Sequence, residues 1–206
     1  MLKIWGRTNS INVQKVLWCA SELGVEFERI DFGGEFGGTD TPEYRAMNPM
    51  GLIPTIDDDG VILWESHSCV RYLAAKNDPG GLWPNDVAVR AEAEKWMDWV
   101  LASINQPMGF VFRGLIRTPE AERDMMVINA AKAQMTNFWG IVDNRLADRE
   151  FLAGDRISIG DIALGPYAFR WFGLFDDEVG LPNVKSWFER LKLRDGFRQH
   201  VVQPLS

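Results

Sequence analysis

The chain has 206 residues, 46% hydrophobic and 25% charged, an ordinary globular composition with enough mass for a sizeable core. A net charge of −7 with no Lys/Arg block argues against nucleic acid or an anionic membrane surface as a partner. No stretch reaches the roughly 18 apolar residues of a spanning helix and the start shows no leader-like apolar run, so a cytoplasmic protein is expected.

In chain order, "LKIWG" reads as a strand. "NVQKVLWCASELG" has apolar residues at Val13, Val16, Leu17, Ala20 and Leu23, a helical period closed by Gly24. "EFERIDF" alternates as a second strand, and a short helix through "TPEYRAMN" follows the glycine-rich "GGEFGG". "IPTI" and "VILW" flank "DDDG", a hairpin signal, and "SHSCVRYLAAK" closes the unit with a helix. The turn-rich "NDPGGLWPND" then marks a boundary. Beyond it, helices are expected at about 87–106, 119–147, 159–172 and 183–193, with Thr118 as N-cap and Pro119 as first residue of the second. "ISIGDIA" reads as a capping box, Ser158 at the N-cap and Asp161 three residues on, with Ile157 and Ile162 placed as a hydrophobic staple. The organisation is α/β plus all-α: a βαβ-α-ββα domain over 1–77, a linker over 78–86 and an all-helical domain over 87–206. Cys19 and Cys69 form no CxxC and accompany no His cluster, so neither a disulfide framework nor a metal site is expected.

The chemistry-bearing stretches have plain structural readings. Pro54, at the mouth of an apolar run, cannot donate a ladder hydrogen bond and fits a strand start or a special turn. Ser66 after Glu65 reads as a helix N-cap with an acidic neighbour. Ser10 reads as a cap of the first helix, a role open equally to Asn9 and Asn12. His67 reads as a solvated residue at a helix start, and Cys69 as a small buried hydrophobe.

"SINVQKV", "NPMGLIPTI", "WESHSCVRYLA" and "SIGDIA", in this order and spacing, resemble the glutathione transferase superfamily over essentially the whole chain, the first two stretches its theta and zeta classes. The resemblance implies a thioredoxin-like first domain in which Pro54 is cis. Ile53 then turns its backbone to the cysteinyl unit of glutathione, and Glu65 and Ser66 hold the γ-glutamyl end. It implies that Ser10 activates the thiol, with Asn12 as rival donor. It also implies a homodimer. The "WMDW" region resembles the beta class, which places an asparagine at the position of Asp98 that reaches the partner subunit's glutathione. The expected function is detoxifying conjugation of glutathione, the co-substrate, to hydrophobic electrophiles, with no metal. The alternatives are glutathione-dependent isomerisation, dehalogenation or peroxide reduction, or a non-catalytic interaction module. Met108, Phe112 and Trp171, in aromatic-rich helical segments, are candidates for the electrophile pocket. Leu52 departs from the pattern: it replaces a polar residue that commonly meets the glycine carboxylate.

Overall fold

The computed structural model describes residues 1–175 and 180–206. Its first half runs β1 (Leu2–Trp5), α1 (Ile11–Glu22), β2 (Phe27–Ile30), α2 (Pro42–Met47), β3 (Thr55–Asp58), β4 (Val61–Trp64) and α3 (Ser66–Asn77). The sheet order is β2-β1-β3-β4. β1 and β2 are parallel, joined across α1, and β3 lies antiparallel to both β1 and β4. Leu2 and Ile4 of the central strand are buried, with Ile4 opposite the equally buried Ile56. The β3–β4 turn uses Asp59 at φ 51° and Gly60 at φ 93°, the paired positive angles that a tight hairpin favours.

The second half is helical: α4 (Val87–Trp99), α5 (Asn105–Phe112), α6 (Met125–Arg145), α7 (Ile159–Leu174), α8 (Pro182–Lys192) and α9 (Asp195–His200). α1 packs against α3 on one side and against α7 and α9 on the other, so it is shared by both halves. Nearly all of it is therefore buried, and Trp18 meets Phe197 edge-on at 4.8 Å. The segment between the halves is pinned: Leu82 is buried, and the Asp78 carboxylate accepts from its N–H at 2.7 Å. Among the described residues, no helix is long and apolar enough to cross a membrane.

Two helix boundaries differ from expectation. The helix expected to stop at 106 continues to Arg117, because π-helical turns at Val100–Ile104 and Arg113–Arg117 flank α5. The wider turn before Pro107 accommodates a residue that has no N–H for the ladder. The next helix starts not at 119 but at Met125. Asp124 is its cap, accepting from the N–H groups of Met126 and Val127 at 3.1 Å. Thr118 instead donates its hydroxyl to the Arg113 carbonyl at 3.1 Å, closing the preceding helix. The capping box at α7 is present as read, the Asp161 carboxylate accepting from the N–H and hydroxyl of Ser158, each at 2.9 Å.

Candidate active site

A short loop leads from β1 into α1. Ser10 occupies the N-cap position with extended backbone, but its hydroxyl makes no capping hydrogen bond. Only its carbonyl serves the helix, accepting from the Gln14 N–H at 2.9 Å. One residue inside the helix, Asn12 accepts through Oδ1 from Lys15 Nζ at 3.1 Å and from the Ser66 hydroxyl at 3.4 Å. With Oδ1 accepting both bonds, the Asn12 NH₂ is left to donate elsewhere.

The Ile53–Pro54 peptide bond is cis, as the family resemblance implies. It is clamped from both flanks. Tyr44 and Asn48 donate to the Leu52 carbonyl at 2.7 and 2.8 Å, and both reach the Thr55 hydroxyl at 2.8 and 3.1 Å. Tyr44, Asn48 and Thr55 are buried, so this network sets the path of the backbone around Ile53. Sequence reading passed over Tyr44 and Asn48, although their four-residue spacing at the end of α2 puts them on one face. Leu52 itself is 59% exposed and brings no polar side chain.

At the start of α3 the reading of Ser66 as N-cap is corrected. Glu65 is the N-cap, at φ 65° and ψ 111°, and Ser66 is the first helical residue, 4% exposed. The chain turns one residue earlier than a plain serine cap requires, which aims the Glu65 side chain outward. Its carboxylate has no hydrogen-bond or ion-pair partner among the described residues. Asn12, Ile53, Pro54, Glu65 and Ser66 line one cleft of about 210 Å³, closed on the far side by Leu101 and Asn105. A larger hollow of about 650 Å³ lies elsewhere, between α1 and the α8–α9 corner, where Glu22 is already paired with Arg194.

Beneath the cleft lies a buried polar chain that sequence reading missed. Lys15, fully buried, places Nζ 3.1 Å from His67 Nε2 and 3.5 Å from the Tyr167 hydroxyl, which donates to Asn105 at 2.9 Å. Burial, with help from Arg170 and against Glu65, lowers the Lys15 pKa from 10.5 to about 7. His67 is not solvated as expected. It is 2% exposed, and burial followed by the Lys15 and Arg71 charges pushes it down to about 2, so it is a neutral acceptor for Lys15. The signal was present in the sequence: Lys15 stands midway between Ile11 and Cys19 at four-residue steps, on a buried face.

The remaining candidates scatter. Asp98 is not part of the cleft wall; Arg71 of the same chain pairs with it and lies 3.4 Å from Glu94. Met108 and Trp171 are corrected: both are buried, Trp171 against Trp139 and Phe175, because apolar residues at helical spacing filled the core. Phe112 is also buried, but two arginines, Arg117 and Arg170, lie over its ring. Cys19 and Cys69 are buried and free, their thiols pushed up by burial, Cys69 to about 12.

Family models described as glutathione S-transferase N-terminal domain and C-terminal domain match residues 9–76 and 125–190. Glutathione S-transferase GstB of Escherichia coli (strain K12) is 39% identical over 208 residues, covering 100% of both chains. The crystal structure of the theta class glutathione S-transferase from Xanthomonas axonopodis pv. citri, with glutathione bound, is 43% identical with a TM-score of 0.95. The match covers 100% of this chain and 99% of that one. Glutathione transferase F7 from Populus trichocarpa, at 23% identity, TM-score 0.86 and 97% coverage of both chains, shares the fold.

Proposed function

The chain belongs to the glutathione S-transferase family and is a transferase enzyme, and on that premise we propose how its cleft works. Glutathione lies across the Asn12–Ile53–Glu65–Ser66 cleft. The Ile53 backbone pairs with the cysteinyl unit as an added strand does. Ser66 and the free N–H groups of α3 take the γ-glutamyl carboxylate, while Glu65 takes the ammonium. The hollow is smaller than the roughly 300–1,000 Å³ of common ligand pockets, so it holds the γ-glutamyl-cysteinyl part and leaves the glycine end on the rim beside Leu52. One observation carries this reading: a carboxylate on a positive-φ backbone, unpartnered among the described residues, shares one cleft with a helix N-terminus and an unspent amide.

The thiolate is the nucleophile, and glutathione's thiol is mostly protonated at neutral pH. Lowering its pKa by about two units takes about 2.7 kcal/mol, within reach of one charge-assisted hydrogen bond and a helix N-terminus together. Ser10 or Asn12 at the start of α1 supplies the donor. The thiolate then attacks a hydrophobic electrophile, a reaction suited to detoxification in the cytoplasm. No cysteine stands near Ser10, and both cysteines are buried with raised thiol pKa values, which disfavours a cysteine-based thiol–disulfide reaction. The working unit is a homodimer, in which Asp98 reaches the partner subunit's glutathione. Its pairing with Arg71 and its exposure limit that effect to a several-fold rise in glutathione KM for Asp98→Ala. Retention on a glutathione resin, turnover of 1-chloro-2,4-dinitrobenzene and sedimentation test the three parts. Retention without turnover of any aromatic halide, alkyl halide, peroxide or disulfide would leave a binding module in place of the enzyme.

A further inference from the structure

On the far wall of the cleft, Leu101 and Asn105 are exposed while Val100 and Ile104 beside them are buried, so both present to the cleft. The turn Val100–Ile104 that carries them there is π-helical, and Asn105 is the first residue after it. Such turns recur at functional sites. The Asn105 carboxamide is engaged on one side only. Its Oδ1 accepts from the Tyr167 hydroxyl at 2.9 Å, and its NH₂ has no partner among the described residues.

Asn12 is in the same state, with Oδ1 engaged and its NH₂ left over. One chain serves both oxygens. Asn12 Oδ1, Lys15 Nζ, the Tyr167 hydroxyl and Asn105 Oδ1 follow one another at 3.1, 3.5 and 2.9 Å. Protonated, Lys15 has three N–H bonds for three acceptors: Asn12, His67 Nε2 and the Tyr167 hydroxyl. Tyr167, receiving one of these, has its own proton for Asn105. Lys15 and Tyr167 are buried, so both amide oxygens are tied into the protein and two NH₂ groups remain at the cleft lining. Elimination names their acceptor. Ser66, the start of α3 and Glu65 take the γ-glutamyl end of glutathione, the Ile53 backbone takes the cysteinyl main chain, and the glycine end lies on the rim. Sulfur is the remaining group, and it is the one that gains charge.

We propose that the Asn105 amide is a further catalytic residue, donating to the glutathione sulfur from the far wall, with Lys15 and Tyr167 as the positioning residues that hold its oxygen. This rests on the reading of the cleft as the glutathione site, and it adds a donor to the one at the start of α1. The thiol proton leaves to solvent and the electron pair stays on sulfur. A donor held in place favours the charged form over the thiol and so lowers its pKa. The titratable and charged groups around this chain are Lys15 from α1, Glu65 and His67 at the start of α3, and Tyr167 and Arg170 from α7. All of them are retained when Asn105 is replaced, so the difference between wild type and an Asn105 variant isolates the amide.

The test titrates bound glutathione by the ultraviolet difference absorbance of its thiolate, which reads the sulfur directly. Asn105→Ala should raise the bound thiol pKa by about one unit and lower kcat/KM for 1-chloro-2,4-dinitrobenzene about three- to ten-fold at pH 6.5. Asn105→Asp should raise it further, because a carboxylate replaces the donor with a like charge. Tyr167→Phe, which frees the amide to turn, should give a smaller rise. S-methylglutathione, which has no thiol to ionise, should bind wild type and Asn105→Ala within about two-fold by calorimetry. Asn105 is exposed, so its variants stand if Tyr167→Phe misfolds. An unchanged thiol pKa in Asn105→Ala overturns the proposal, and a fall in turnover beside it gives Asn105 to the electrophile. A large loss of S-methylglutathione affinity in Asn105→Ala overturns it by giving the amide to the peptide part of the ligand. A Tyr167→Phe pKa equal to wild type overturns the tether. Failure of wild type to bind glutathione or S-methylglutathione overturns the cleft reading beneath it.

Discussion

Glu65 sits at φ 65° and ψ 111°, a backbone region that costs a residue with a Cβ about 1–3 kcal/mol, and its carboxylate meets no partner among the described residues. Glycine removes that cost. Glu65→Gly should therefore melt higher than Glu65→Ala, by about 1 kcal/mol in urea unfolding, while both lose retention on glutathione resin. If the two variants unfold alike, the backbone is not strained there. Ser10 and Asn12 are separated by kinetics. Loss of the donor to sulfur should cut kcat about 10- to 100-fold and shift the thiol pKa in the pH–rate profile upward, with little change in glutathione KM. Ser10→Ala is expected to show this, and if it does not, Asn12→Ala must. At this scale the sequence showed residue types but not orientation. "WES" identified Glu65 and Ser66 as neighbours at a helix start, whereas which of them caps the helix depends on a backbone angle that no residue type dictates.

Helix ends were legible where a side chain competes for the orphan N–H groups, and misread where two candidates stood close together. Thr118-Pro119 and Asp124 both suit the start of α6. The aspartate prevails because it takes two N–H groups, while Thr118 is engaged with Arg113. The "SIGDIA" box was unambiguous, but its role in packing was hidden. Asp161 Oδ1 also accepts from the Leu152 N–H at 3.0 Å and from Trp187 Nε1 at 2.9 Å, so one buried carboxylate ties α7 to α8 and to the loop after α6. Asp161→Ala would leave those donors and the Ser158 N–H unsatisfied in the core. It should cost about 3–5 kcal/mol in urea unfolding, well beyond the roughly 1 kcal/mol of an ordinary lost cap. A loss near 1 kcal/mol would reduce Asp161 to a helix cap.

The two halves were legible as periodic patterns on either side of "NDPGGLWPND", but the way they join was not, because a pattern within one helix does not say what covers it. α1 is buried on nearly all sides, and Lys15 lies where α1, α3 and α7 converge. The groups acting on it are Arg170 and Tyr167 from α7, His67 from α3, and Glu65 at the start of α3. His67 stays neutral, and burial raises the Tyr167 phenol, so neither changes charge between pH 6 and 9. Lys15, lowered from 10.5 to about 7, does. Below pH 7 it is protonated in both folded and unfolded chains. Between about 7 and 10.5 the unfolded chain holds a proton that the folded chain has released, so this group makes folding more favourable as pH rises, by up to about 1.4 kcal/mol per pH unit. Lys15→Met removes the titration but also the bond to Asn12, so stability at any single pH does not isolate the effect. The difference between wild type and Lys15→Met across pH does. That difference should shift in favour of the wild type by more than 1 kcal/mol between pH 6.5 and 9, measured by urea unfolding without glutathione. A difference that stays flat over this range would mean that Lys15 keeps an ordinary pKa, and that the junction of the two halves carries a full positive charge at every physiological pH.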